Sequence, residues 1–221
     1  ACNAQGLLPR TLVLYNKTCT WDNLSFALKN ITSLRYWYHG GGHGTAKSGP
    51  IGQPNYRDRT GIKISYPGWI SKSEWVYSLV KTSDPDELKK RKSIGSLGLN
   101  EWGGLKIVFF DVCYTSEDAC CTVDGSKHDM AWALGAYSTY NEQWHTQIYL
   151  GWHGARSSYE PTFKFNTFVE VFWNTLASGT KTVQEALNAA RIATGEFYLE
   201  KIQPHGYGAI NQIKFEADPP N

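Results

Sequence analysis

Periodicity and punctuation along the 221 residues predict an α/β protein, a mainly parallel sheet with helices on both faces. Three observations carry that expectation. Residues 106–110, Lys-Ile-Val-Phe-Phe, are apolar from Ile107 onward, the pattern of a strand covered on both faces. Phe165, Phe168, Val169, Phe172, Trp173 and Leu176 recur at helical spacing, one stripe of a helix that Gly179 closes. Between such segments strand and helix patterns alternate, as they do where crossover helices join parallel strands.

Taken in order, residues 11–15 (Thr-Leu-Val-Leu-Tyr) form a short buried strand. A helix follows, with Asp22 as its N-cap and Trp21 placed to pack on Phe26 as a hydrophobic staple. Residues 34–38 form a second strand that runs into the glycine-rich turn His39-Gly-Gly-Gly-His-Gly44. The stretch 45–105, rich in Gly, Pro, Lys and Ser, is an insertion within a single domain spanning 1–221. It holds a hairpin of strands 61–66 and 74–78, turned at Pro67-Gly68. A charged helix begins at Asp84 and ends in Lys89-Lys-Arg-Lys92, whose basic run reads as a solvated face and is the place to look for a maturation cut. After strand 106–110 come a helix over 129–140 and a strand over 145–150 ending at Gly151-Trp152. The striped helix is next, then a helix to Ala193 that Thr182 and Glu185 open with a capping box. A final strand covers 209–215.

Composition excludes several classes. Hydrophobic residues make up 41% against 19% charged, enough apolar mass for a packed core. No apolar run approaches the roughly 18–20 residues of a membrane span. A net charge of +2 and the lack of a basic stripe argue against a nucleic-acid partner. Cys2, Cys19, Cys113, Cys120 and Cys121 are many for a reducing compartment, and acceptor sequons stand at Asn16, Asn23 and Asn30. Together they point to a secreted or cell-surface glycoprotein with disulfides, and the start at Ala1 reads as a processed or trimmed end. Five is odd, so one thiol is left over in a monomer, and the adjacent Cys120 and Cys121 cannot easily bridge each other without strain.

Two strand ends hold the chemistry. One is Tyr38-His39-Gly40-Gly41-Gly42-His43-Gly44; the other is Phe110-Asp111-Val112-Cys113-Tyr114-Thr115-Ser116. In a parallel sheet both lie at one edge, where sites are built, and they face each other if their strands are neighbours. An imidazole near a thiol lowers its pKa, and the thiolate is the nucleophile. Glycines beside the histidine let backbone N–H groups approach a developing oxyanion. Hydrolysis of an amide needs such a combination.

A strand through Tyr38 that runs into Gly42-His43-Gly44, followed by one ending in Asp111-x-Cys113, resembles the caspase-fold cysteine peptidases, among them metacaspases and the clostripain- and gingipain-like enzymes. The resemblance covers about residues 33–216 and implies a caspase-like three-layer fold. It implies His43 as general acid/base, although His39-Gly40 also fits, and Cys113 as nucleophile. The oxyanion would be held by the N–H groups of Gly44 and Cys113, and the substrate cleft walled by Gly151, Trp152 and His39. The substrate would be a peptide or protein, with no cofactor required. Such domains usually carry an additional strand and helix before the histidine strand, and only one such unit precedes it here. No acidic residue stands out as a pocket base; Asp58, Asp118 and Asp124 are unranked candidates.

Other readings of the same residues stay open. If Cys2, Cys19, Cys120 and Cys121 pair off, Cys113 is the free thiol that catalysis requires, whereas a bridge from Cys113 to Cys120 or Cys121 would kill the site. His39, His43, Cys113, Cys120, Cys121 and His128 are zinc-ligand types but lack metal-site spacing. The carboxylates of 124–129 suit Ca²⁺ as a structural ion, without the alternating acidic ligands of a calcium loop. The rival from another class is a catalytically inactive caspase-like domain, a self-associating structural or binding subunit of an extracellular assembly.

Overall fold

Two small sheets and a set of helices organise the part of the chain that the computed structural model describes: residues 14, 18–30, 36–40, 44–48, 57–64, 74–78, 93–97, 105–112, 114–116, 130–134, 148–152, 162–195 and 202–205. In chain order the elements are α1 (Trp21–Asn30), β1 (Tyr36–Gly40), β2 (Gly44–Ser48), β3 (Arg57–Ile64), β4 (Glu74–Tyr77), a 3₁₀ turn (Gly95–Leu97) and β5 (Ile107–Asp111). Then come α2 (Met130–Ala133), β6 (Ile148–Trp152), α3 (Thr162–Leu176), α4 (Val183–Thr194) and β7 (Ile202–His205).

The larger sheet has the order β1-β5-β6-β7. Strands β1, β5 and β6 run parallel, and β7 pairs antiparallel with β6, so the sheet is mainly parallel with one reversed strand. Interior strands β5 and β6 are buried along their whole length, the consequence of cover on both faces. Alternation along β5 divides its side chains between two cores. Val108 and Phe110 belong to a first core with Leu24 and Leu28 of α1, Ile62, Ile64 and Val76 of the hairpin strands, Met130, Ala131 and Ala133 of α2, and Tyr149. Ile107 and Phe109 belong to a second core with Ile148, Leu150 and Trp152 of β6 and the apolar faces of α3 and α4. Helices therefore flank both faces.

The second sheet, β2-β3-β4, is antiparallel throughout. The expected hairpin is present as β3 and β4, with Ile62 opposite Val76; its turn at Pro67-Gly68 lies outside the described residues. The strand β2 was not foreseen, because Gly-Thr-Ala-Lys-Ser has no apolar alternation.

The helix signals on the second face read true. Helix α3 buries Phe165, Phe168, Phe172 and Leu176. The chain leaves it through Gly179, whose φ of 72° falls in the left-handed region that a side chain disfavours, and whose N–H donates to the Leu176 carbonyl at 3.1 Å. Helix α4 opens with the capping box: the Glu185 N–H donates to Thr182 Oγ1 at 3.3 Å and the Thr182 N–H to Glu185 Oε2 at 2.8 Å.

The start of α1 differs from expectation. Thr20 caps it, accepting the Asn23 N–H on Oγ1 at 3.3 Å and the Leu24 N–H on its carbonyl at 2.9 Å, while Asp22 lies in the first turn. Trp21 packs against the first core, and Phe26, expected beneath it as a staple, is 64% exposed. Packing of the half-buried indole on the first core won over a local pair within the helix. The expected segments 11–15 (apart from Leu14), 84–92, 135–140, 145–147 and 209–215 lie outside the described residues. Among the described residues no helix is long and apolar enough to cross a membrane.

Candidate functional site

Three parallel strands deliver their carboxyl ends to one edge of the sheet. Strand β1 ends at His39-Gly40, β5 at Asp111 and β6 at Gly151-Trp152. The register pairs Gly40 with Asp111 and Phe110 with Gly151, so the three ends are level. Adjacency of β1 and β5, a condition for the two chemistry-bearing loops to leave side by side, is thus met. The segment 41–43 leads from this edge into β2, which carries Gly44 as its first residue, opposite Ile62.

Asp111 sits at the centre of the edge and is only 2% exposed. A carboxylate taken from water must be met by donors, and the neighbouring strands supply them. From β1, the Tyr38 hydroxyl donates to Oδ2 at 2.9 Å; from β6, the Trp152 indole N–H donates to Oδ1 at 2.9 Å. Tyr38 reaches along its own strand to do so, over the position two residues on. That position is Gly40, where a Cβ would fall on the Tyr38 ring and hydroxyl. The Tyr38 ring also stands edge-on to Phe109 and Trp173, which holds it over the strand ends.

Beyond Asp111 the chain bends at Val112 and turns over 114–116. Tyr114 has φ 59°, the left-handed region, at a cost of roughly 1–2 kcal/mol for a residue with a Cβ. Hydrogen bonds hold it there. The Thr115 hydroxyl lies 2.9 Å from the Val112 carbonyl and 3.3 Å from that of Phe110, and accepts the Trp152 main-chain N–H at 3.3 Å. The Ser116 N–H donates to the Trp152 carbonyl at 3.1 Å, and the Tyr149 hydroxyl to the Thr115 carbonyl at 2.8 Å. The turn presses so closely on β6 that a Cβ at Gly151 would come within 2.7 Å of both the Thr115 and Ser116 hydroxyl oxygens.

Against this geometry the expected site residues fall as follows. Cys113 lies between the placed residues Val112 and Tyr114, and His43 immediately before Gly44; both are themselves outside the described residues. For His39 the backbone is placed, at the level of Phe110. Trp152, expected as a wall of the cleft, is 1% exposed; its ring packs on Phe165 and Phe168 and its N–H holds Asp111. Its side chain is therefore part of the second core and is tied to Asp111. Gly151 is buried and needed for the close approach of the turn. Asp58 lies on β3; Asp118, Asp124, His128, Cys120, Cys121 and Cys2 are outside the described residues, and Cys19 is half-buried against the first core. Among the described residues no three His, Cys, Asp or Glu side chains gather as a metal site.

Sequence reasoning gave Asp111 no task beyond marking the Asp-x-Cys motif, and missed Tyr38, Thr115 and Ser116. One signal was available: an acidic residue closing an otherwise apolar, doubly covered strand must find buried donors. Which residues would donate depended on strand order. No protein-family model matches this chain, and neither a curated protein nor a solved structure matches it.

Proposed function

We propose that this chain is a secreted cysteine endopeptidase of caspase-like fold. The observation that carries the reading is the parallel pairing of β1 with β5, with Gly40 level with Asp111, so that the loops bearing His43 and Cys113 leave the same sheet edge from adjacent strands. Support for the fold comes from the order in which the elements occur: the histidine strand, the hairpin region, the cysteine strand, the strand ending at Trp152, paired helices and a last strand.

In this mechanism His43 takes the Cys113 thiol proton. The thiolate sulfur attacks the carbonyl carbon of a peptide bond, and backbone N–H groups, with those of Gly44 and Cys113 as candidates, stabilise the oxyanion. Collapse of the tetrahedral intermediate breaks the C–N bond while the imidazolium gives its proton to the leaving amine. Water, deprotonated by the same imidazole, then hydrolyses the thioester; the acid is released and the thiol restored. The chemistry balances without a cofactor, and a Ca²⁺ ion would be structural.

The test is peptide cleavage by the purified chain beside Cys113→Ala and His43→Ala. Both variants are expected to stay folded and to lose cleavage by at least about a thousandfold, the scale on which a nucleophile and its base act together. His39→Ala under the same assay separates the two imidazoles. Cleavage that survives Cys113→Ala overturns the assignment, and a folded wild type with an unreactive or disulfide-bonded Cys113 and large-scale self-association favours the inactive structural subunit.

A further inference from the structure

The two residues that flank Cys113 at equal distance are tied to the same partner. Two positions before it, the buried Asp111 carboxylate accepts the Trp152 indole N–H; two positions after it, the buried Thr115 hydroxyl accepts the Trp152 main-chain N–H. One residue further, the Ser116 N–H closes onto the Trp152 carbonyl. A single residue at the end of β6 thus grips both sides of the turn. On the other side of β5, Tyr38 reaches the remaining oxygen of Asp111 from the strand that leads to His43.

We infer that Trp152 is a positioning residue that holds the end of β5 through its indole on Asp111 and the turn 114–116 through its main chain, and that Asp111 passes that hold to β1 through Tyr38, fixing how the ends of β1 and β5 sit beside each other. The strained Tyr114 backbone gives the hold a purpose, because a left-handed non-glycine residue relaxes unless its surroundings over-determine it. This inference rests on the cysteine-peptidase reading for its catalytic consequence, but the hold itself is a property of the fold.

The test uses Trp152→Phe, which removes the indole N–H and keeps an aromatic ring against Phe165 and Phe168, and Thr115→Val, which removes the hydroxyl at nearly constant shape. Two readouts are taken: amide exchange of residues 114–116, and the pH profile of Cys113 alkylation by iodoacetamide, resolved by peptide mass spectrometry. The expected result is a displaced alkylation profile in both variants, and faster exchange at 114–116 in Thr115→Val, which breaks the bond to the Trp152 main chain, with kcat down by on the order of tenfold and KM nearly unchanged. Tyr38→Phe, at a position 44% exposed, supplies a variant that folds even if the buried ones do not, and is expected to displace the alkylation profile without changing exchange at 114–116. Folded variants with wild-type exchange and a wild-type profile overturn the inference. A wild-type Cys113 with ordinary thiol reactivity and no cleavage overturns the peptidase reading instead, and the exchange data still decide whether Trp152 holds the turn.

Discussion

The two faces of the larger sheet are closed by different means. Behind Phe109, the second core is completed by α3 and α4, two helices contiguous in sequence and joined through the turn at Gly179. Behind Phe110, the first core is assembled from α1, two hairpin strands and the short α2, pieces that lie far apart along the chain. One face is local and the other long-range. Contacts on the long-range face must repay the closure of several loops before they stabilise anything. The candidate site lies where the two meet: β1 leaves the edge toward the hairpin sheet of the first face, while Asp111 and Trp152 belong to the side of the second.

Neighbouring phenylalanines on β5 give the sharpest probe of this contrast. Phe109→Ala and Phe110→Ala each remove a fully buried ring, and each is expected to cost about 3–5 kcal/mol by denaturant unfolding. Their footprints should differ in amide exchange. Loss of Phe109, which packs edge-on to Phe172, should open α3 and α4; loss of Phe110, which packs on Trp37 and Tyr149, should open β3, β4 and α1. If both variants release the same amides, the faces form one cooperative unit and the contrast fails. A smaller effect is expected from Gly151→Ala, about 1–3 kcal/mol from overpacking against the Thr115 and Ser116 hydroxyls. Its signature is faster exchange at 114–116 with α4 undisturbed.

Smallest of the set is the cap of α4, which tests how far the local face stands alone. Thr182→Ala is expected to lower stability by about 1 kcal/mol, seen as faster amide exchange in α3 and α4 with α1 and the hairpin strands unchanged. The Glu185 carboxyl is held below its usual pKa, first by the Thr182 backbone N–H and then by Lys181. A depressed folded-state pKa contributes stability that is present above the unfolded value and is lost as pH falls through the folded one. Melting temperature against pH should therefore be flatter on the acid side in Glu185→Gln, by a small amount because the pair is exposed to solvent. An unchanged acid limb would mean that the bond is absent in solution.

What could be read in advance tracks the same division. The stripe of α3, the Thr182–Glu185 box and the apolar run of β5 are properties of neighbours in sequence, and all three appear as expected. The cap of α1 was misplaced from Thr20 to Asp22, since both residue types cap and only the packing of Trp21 on the first core chose between them. Strand β2 carries no apolar alternation, and β7 contains Pro204, a residue that strands usually avoid, so neither had a local signal to find. At the site, the loops could be placed on one edge from their strands, but the burial of Trp152 and its bond to Asp111 could not be read. A tryptophan at a strand end looks the same whether it faces a cleft or the core.

The sequence by itself determined the strand and helix segments apart from β2 and β7, because hydrophobic period, caps and glycines act over one or two turns of chain. It also determined that Cys113 and His43 follow strands, with Asp111 ending the more buried of them. Only the tertiary structure decided that β1 lies beside β5 and β6 on its other side. That order brings Tyr38 and Trp152 to the two oxygens of one carboxylate and folds the turn after Cys113 onto Gly151. The reason is physical: a buried carboxylate and a strained turn are stable only where donors from distant segments converge, and that convergence is set by strand order.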